Sequence, residues 1–397
     1  MENPTRALYC SRCGAKRPAG ANFCPYCGTA YSTASASQPT RKGRPIVLYV
    51  IIALVLMGLC GIISSVVEYH AREKHQPSDA VPPQISASQT VSTDDFQNQL
   101  RSAIAKHAKT FHHSMAVQNG GSAVHRDADL GGWTNVASVG EVGAWFENPV
   151  ALRWDGTVLT GDNNPTVASW RNIVAICGGD NNELVGLRLD GTVVSSDPAS
   201  ICNTWTNIDS IQLADGMPYL IGITKDGRVV SQSTDFDVSL LTNIVQVAGS
   251  MDMIVGLRQD GTVLCTNRDG TFVMQGWTDV TAVDCYYDIL ALRKDGTVLS
   301  TAEPVFDIVP DFSGWNNIVA IQDWGYSYIG LKADGTVVTT GLDEGGQVDT
   351  PPSWSNVVDI KLDNYTTIAL TADGSVLASD YSQPTVRFTN VALPSGN

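Results

Sequence analysis

The sequence predicts an all-β fold, a ring of seven or eight small β-sheet blades, and three observations predict it. Seven near-identical cores, from VALRWDGTVL at Val150 to IALTADGSVL at Ile368, run down the last two-thirds of the 397-residue chain. Their Asp-Gly pairs, at Asp155, Asp190, Asp226, Asp260, Asp295, Asp334 and Asp373, lie 34 to 39 residues apart, a period that marks stacked or radial modules. Apolar residues alternating around each pair, such as Val185, Leu187 and Val193, signal a tight two-residue hairpin with positive φ angles. The second observation is an anchor upstream of each pair: an aromatic or Leu, one residue, Asn or Asp, then a β-branched run. Trp133, Trp170, Trp205, Leu241, Trp277, Trp315 and Trp354 hold this phase, so six of the nine tryptophans are expected to pack between blades. The third is at the ends. Phe388, Asn390 and Val391 repeat the anchor with no Asp-Gly behind them, while MAVQNGGSAV from Met115 is a hairpin with no anchor before it. Pairing of the C-terminal strand with this first hairpin would close the ring and leave few exposed edges.

The elements ahead of the repeats are of another kind. Cys10, Cys13, Cys24 and Cys27 form two CxxC pairs ten residues apart, each followed by a glycine. Four thiolates at this spacing close a tetrahedral Zn2+ site, which in a module of about 30 residues supplies much of the folding energy. With no open ligand position the metal is structural, and residues 1–30 are expected to be a zinc-ribbon. A pair of disulfides is the competing reading. Residues 31–45 form a basic linker, with Arg41, Lys42 and Arg44. From Ile46 to Val67 no residue is charged, a length that matches the roughly 30 Å of a bilayer core. A transmembrane helix is expected there, and the Lys and Arg placement puts the N-terminus in the cytoplasm and the repeats outside the cell. Residues 68–110 read as a Pro- and Ser-rich linker followed by a short helix from Asp94 to about Thr110. Ser92 and Thr93 are candidate caps, and Phe96, Leu100, Ala103, Ile104 and His107 share one face.

The repeat cores WxNIVxI and xGLRxDGTV, together with GLDEGGQVD at Gly341, resemble those of the bacterial members of the regulator of chromosome condensation repeat family. The resemblance covers roughly residues 111–397 and implies a β-propeller there, closed by its terminal strands. Two departures matter. These repeats are shorter than those of the eukaryotic founders, and the His that commonly precedes the family's core is absent, so the nucleotide exchange associated with the family is not what these residues imply.

Charge divides along the chain. The formal total is −15, with residues 1–110 net positive and the repeats strongly acidic, which argues against nucleic acid as a partner of the repeats. Aligning the copies puts one variable loop on the same rim of every blade. These loops carry ten acids, one base (Lys361) and nine aromatics. Trp145, Asp284, Tyr286, Tyr287, Asp288, Asp323, Trp324 and Tyr326 are the candidate ligand-binding residues, because aromatic faces and carboxylates together suit a basic protein surface or a carbohydrate. Inward packing of individual aromatics is the alternative for each.

No catalytic constellation is visible. All six histidines lie before residue 126, so the seven complete repeats contain no imidazole base. Cys177, Cys202, Cys265 and Cys285 are expected as buried thiols, with disulfides the alternative. The resulting functional expectation is a non-enzymatic, membrane-anchored surface protein whose propeller binds a protein or glycan. A transmembrane sensor coupled to the zinc-ribbon and a surface glycosidase are the other readings.

Overall fold

A computed structural model describes residues 92–394 except 113, 143–147, 179–182, 215–218, 344–347, 349–353, 364–365 and 381–382. The chain divides into two compact units, 1–91 and 92–397. The zinc-ribbon cysteines, the basic linker, the uncharged stretch 46–67 and Trp145 therefore lie outside the described residues.

One helix, α1 (Thr93–His107), precedes eight small antiparallel sheets. The first is β1 (Met115–Val117) with β2 (Ala123–His125). Three-stranded sheets follow: β3 (Val136–Val142), β4 (Asn148–Arg153), β5 (Val158–Thr160); then β6 (Ile173–Gly178), β7 (Leu184–Arg188), β8 (Val193–Ser195); then β9 (Ile208–Leu213), β10 (Leu220–Thr224), β11 (Val229–Ser231). The fifth sheet has four strands, β12 (Ile244–Gly249), β13 (Met253–Arg258), β14 (Val263–Asn267) and β15 (Gly270–Val273). The next two are β16 (Val280–Cys285), β17 (Ile289–Arg293), β18 (Val298–Ser300), and β19 (Ile318–Trp324), β20 (Ser327–Lys332), β21 (Val337–Gly341). The last is β22 (Val357–Asp363), β23 (Thr366–Thr371), β24 (Val376–Asp380) and β25 (Gln383–Phe388). The first strand of each sheet touches the first strand of the next, and the apolar clusters lie between successive sheets.

The anchor motif acquires a backbone meaning. Its Asn or Asp is left-handed in all eight copies, with φ between 55° and 60° at Asn135, Asn172, Asn207, Asn243, Asp279, Asn317, Asn356 and Asn390. Asn and Asp tolerate this region better than other side chains, which explains the choice. The kink points two groups in useful directions. The anchor carbonyl accepts from the turn of its own sheet, as in Ala333 N to Asn317 O at 2.9 Å, and the next amide donates to the turn of the preceding sheet, as in Val357 N to Gly335 O at 3.0 Å. Each Asp-Gly turn is thus fastened to the following sheet. A Cβ at Gly335, whose φ is +80°, would stand 3.1 Å from Asn356 Cα, so the turn glycine serves both the dihedral and the contact.

The hairpin loops differ from expectation. Arg153 N bonds Thr157 O and Gly156 N bonds Arg153 O, so three residues, not two, form the turn, and only its glycine has positive φ. This is the three-residue loop with a left-handed glycine. The turn Asp locks it by accepting from the amide and hydroxyl two residues on, as at Asp190 and Thr192. Arg153, Arg258 and Arg293 donate to carbonyls of the anchor segment, at Thr134, Thr242 and Gly276, instead of pairing with the turn Asp.

A β-bulge recurs in the first strand of the complete sheets, between Ile244 and Gln246, Val280 and Ala282, Ile318 and Ala320, and Val357 and Asp359. It accounts for two adjacent apolar residues in the anchor run: Ile318 is 3% exposed, while the bulged Val319 is 54% exposed. At the equivalent positions Ala137 and Val174 are covered, because α1 lies against β3 and β6 with Leu100 and Ile104 fully buried. Ser92 caps α1, and Lys106 pairs with Asp209, the bulged residue's counterpart in β9, at 2.7 Å. The face expected from sequence is the one used.

Segments from either side of the repeats enter the first sheet. Gln118 bridges Val391, Ala392 N donates to Val117 O, and Phe111 bridges Ala116 on the same strand. The edge of β1 is therefore paired with two fragments, residues 110–112 from the N-terminal side and 390–392 from the C-terminus.

The expected fold class is corrected in two respects. In place of a seven- or eight-bladed propeller closed by its terminal strands, the described residues form an all-β array of eight small sheets, with each strand ladder inside one sheet and no closed barrel. No helix among the described residues is long and apolar enough to cross a membrane. The longer of them, α1, has 15 residues, about 22 Å at 1.5 Å per residue, and carries Asp94, Asp95, Arg101 and Lys106. The single-pass topology with an extracellular propeller is withdrawn on that finding, and the stretch 46–67 on which it rested lies outside the described residues.

Candidate functional site

The loops that follow β16 and β19 bring the expected residues of two neighbouring sheets together. After β16 the chain turns through Tyr286, Tyr287 and Asp288, where Tyr286 N donates to Asp288 O at 3.3 Å. After β19, Trp324 pairs with Ser327 across Gly325 and Tyr326, a two-residue turn with Gly325 at φ +66°. Four rings meet across the gap. Tyr287 stacks on Tyr326 at 4.7 Å and 29°, Tyr286 lies 5.5 Å from Trp324, and Tyr286 and Tyr287 meet edge to face at 4.7 Å. Tyr287 is 40% exposed, and the other three are half-buried.

The carboxylates stand differently. Asp284 Oδ2 accepts the backbone amide of Asp323 at 3.0 Å and ties β16 to β19. Asp323 is buried beside this bond. Asp288 Oδ2 accepts the hydroxyl of buried Tyr328 at 2.7 Å. Burial raises the carboxyl groups of Asp284 and Asp288 above the usual range, against the lowering effect of these hydrogen bonds. The acids thus join the two sheets behind the rings. Gln246 and Gln322 join other neighbouring first strands in the same way, Gln246 by pairing with the Val283 peptide and Gln322 by accepting from Leu362 N.

Other rim aromatics turn inward. Tyr219 is 7% exposed with its hydroxyl on Ser250 O at 2.6 Å, and Tyr328 is 1% exposed. Trp145, Phe146 and Tyr365 lie outside the described residues. The sequence offered no means of separating these, because all share the loop phase and only strand register decides which ring meets a neighbouring sheet. The four propeller cysteines are not joined by disulfides; Cys202, Cys265 and Cys285 are buried and Cys177 is half-buried. Sequence reasoning also passed over a group formed by His112, His125 and Glu141. The concentration of every histidine before residue 126 was the signal that could have found it.

Residues 9–30 match the zinc-ribbon domain family. Cys10, Cys13, Cys24 and Cys27 lie within that match. Among the described residues no group of three or more His, Cys, Asp and Glu is placed to hold a metal ion. No curated protein matches the chain.

Several solved structures are similar to part of the chain at low identity. Prp20p of Saccharomyces cerevisiae, described in connection with binding to Gsp1p and histones, is 15% identical over 43% of this chain and 56% of that one, with a TM-score of 0.35. The chain thus spans little more than half of that protein. The WD40 ectodomain of the Arabidopsis thaliana receptor kinase ACR4 is 14% identical over 69% of this chain and 97% of that one, with a TM-score of 0.38. The computationally designed protein Ika8 is 16% identical over 69% of this chain and 95% of that one, with a TM-score of 0.42.

Proposed function

We propose that the repeat region is a protein-binding module and that Tyr286, Tyr287, Trp324 and Tyr326 form its contact surface. The observation that carries this reading is the ring cluster itself. Four aromatic side chains from two sheets keep part of their surface exposed, while Tyr219 and Tyr328, the other rim rings among the described residues, are buried. Amphipathic rings of this kind are enriched at protein interfaces and dominate their energetics. The acidic composition favours a basic partner. The zinc-ribbon is a separate element, in which Cys10, Cys13, Cys24 and Cys27 hold a structural zinc ion. A glycosidase reading would have to draw on Asp284, Asp288 and Asp323, of which the carboxylates of Asp284 and Asp288 here join two sheets and that of Asp323 is buried.

The test is affinity capture with the full chain and with a Tyr287→Ser/Tyr326→Ser variant, after circular dichroism shows equal folding. Partners retained by the parent and lost by the variant support the assignment. An unchanged set of captured proteins, or capture of glycans alone, refutes it.

A further inference from the structure

Glu141, near the end of β3, has a fully buried carboxylate. Two imidazoles from separate segments reach it. His112 Nδ1, from the fragment that pairs with β1, lies 3.3 Å from Oε2, and His125 Nε2, at the end of β2, lies 3.1 Å from Oε1. His125 Nδ1 accepts the amides of Asp127 and Ala128 at 3.0 and 2.9 Å. That double acceptance places the His125 proton on Nε2, pointing at Glu141. The ring then has no lone pair for a cation, so two histidines and a carboxylate do not make a metal centre here. Among the described residues, the other charged groups that act on Glu141 are Arg126 and Asp127, and Gly178 of β6 lies against its backbone.

The group sits where the entering chain is fastened. Lys109 N donates to Ser138 Oγ and Lys109 O accepts Val139 N, both at 2.9 Å, and Thr110 O accepts Val117 N at 2.8 Å. The same region is weakly satisfied, because Thr110 Oγ1 and Ser114 Oγ are buried without hydrogen-bond partners.

We propose that Glu141, His112 and His125 form a proton-operated latch that holds residues 109–112 against β3 and the first hairpin, closed when the Glu141 carboxyl is protonated and loosened as it ionises. The buried carboxylate is hydrogen-bonded by His125 Nε2 alone, its Oε2 has no hydrogen-bond partner and solvent is excluded, so its charge is the costly state. Burial raises the Glu141 carboxyl from 4.5 to about 7, with His125 acting in the opposite direction. A raised acid stabilises the closed form fully below its ordinary range and loses that contribution as pH rises through its folded value. The latch therefore slackens between about pH 5 and 8.

Hydrogen exchange on the full chain tests this. Exchange of the Val117 and Val139 amides, relative to the Ala333 amide that bonds Asn317, is expected to rise about tenfold from pH 6 to pH 8. Glu141→Gln should flatten the ratio. A flat ratio in the parent chain, or a pH-dependent ratio that persists in Glu141→Gln, overturns the latch. Should that variant not fold, the Glu141 carboxyl can be titrated directly by carbon NMR in the parent chain. A midpoint above 6 supports the proposal, and a midpoint in the ordinary carboxylate range refutes it.

Discussion

The amide of Asn119 donates to the carbonyl of Asn390 at 2.7 Å, and their side chains meet at 3.1 Å, across a separation of 271 residues. This is the same bond that Ala333 makes to Asn317 within a single repeat. Asn390 thus supplies to the first hairpin what each other anchor supplies to its own sheet. Deleting residues 388–397 removes the buried Phe388 and Val391 and uncovers Phe111, Ala116 and Leu370 around them. Loss of a buried Phe alone costs about 3–5 kcal/mol. Phe388→Ala should therefore lower Tm by several degrees, and the deletion by more, in thermal melts followed by circular dichroism.

The left-handed anchors predict an ordering of substitutions. At Asn317, with φ 55°, Gly should be tolerated within a few tenths of a kcal/mol. Valine at the same position should cost about 1–2 kcal/mol, since its Cβ opposes that backbone region. Urea unfolding of the two variants checks it. Equal stabilities would mean that the bonds made by this segment do not depend on the kink.

Stability and binding should separate at two kinds of aromatic. Trp315 is 5% exposed and its ring lies against Gly330, where a Cβ would stand 2.9 Å from Cζ3. Trp315→Ala should cost about 3–5 kcal/mol. Tyr287→Ala, at a surface position, should cost under about 1 kcal/mol while abolishing capture of a partner. Chemical denaturation alongside binding measurements distinguishes the two.

Thiol chemistry reports burial. Burial pushes the Cys202 thiol up to about 11 and the Cys265 thiol up to about 12. Neither forms appreciable thiolate at pH 8, so both should resist alkylation in the native chain and react at once in denaturant. Half-buried Cys177 should label first. Peptide mapping after timed iodoacetamide treatment reads the order, and rapid native labelling of Cys265 would contradict the packing around it.

Much of this architecture could be read from residue spacing because the physics repeats. An Asn or Asp two places after each anchor residue, met eight times, and a glycine after each of the seven turn Asp residues each reflect a single backbone requirement. What could not be read was non-periodic. The bulge that turns Val319 outward while Ile318 turns inward leaves no mark in an Ile-Val pair, and the three-residue turn has the same Asp-Gly signature as a two-residue one. The place of Asp284 depended on which sheet stood beside it: its carboxylate accepts the Asp323 amide of the neighbouring first strand, a contact that no spacing in the sequence marks. The group at Glu141 draws on three segments and has no counterpart in the other copies, which places it beyond any argument from repetition.

The pairing of β1 with residues 390–392 also orders events during synthesis. The hairpin of β1 and β2 emerges before the seven sheets that separate it from its late partner. Until that partner arrives one edge of β1 stands unpaired, so the sheet begun first is among the last to be completed.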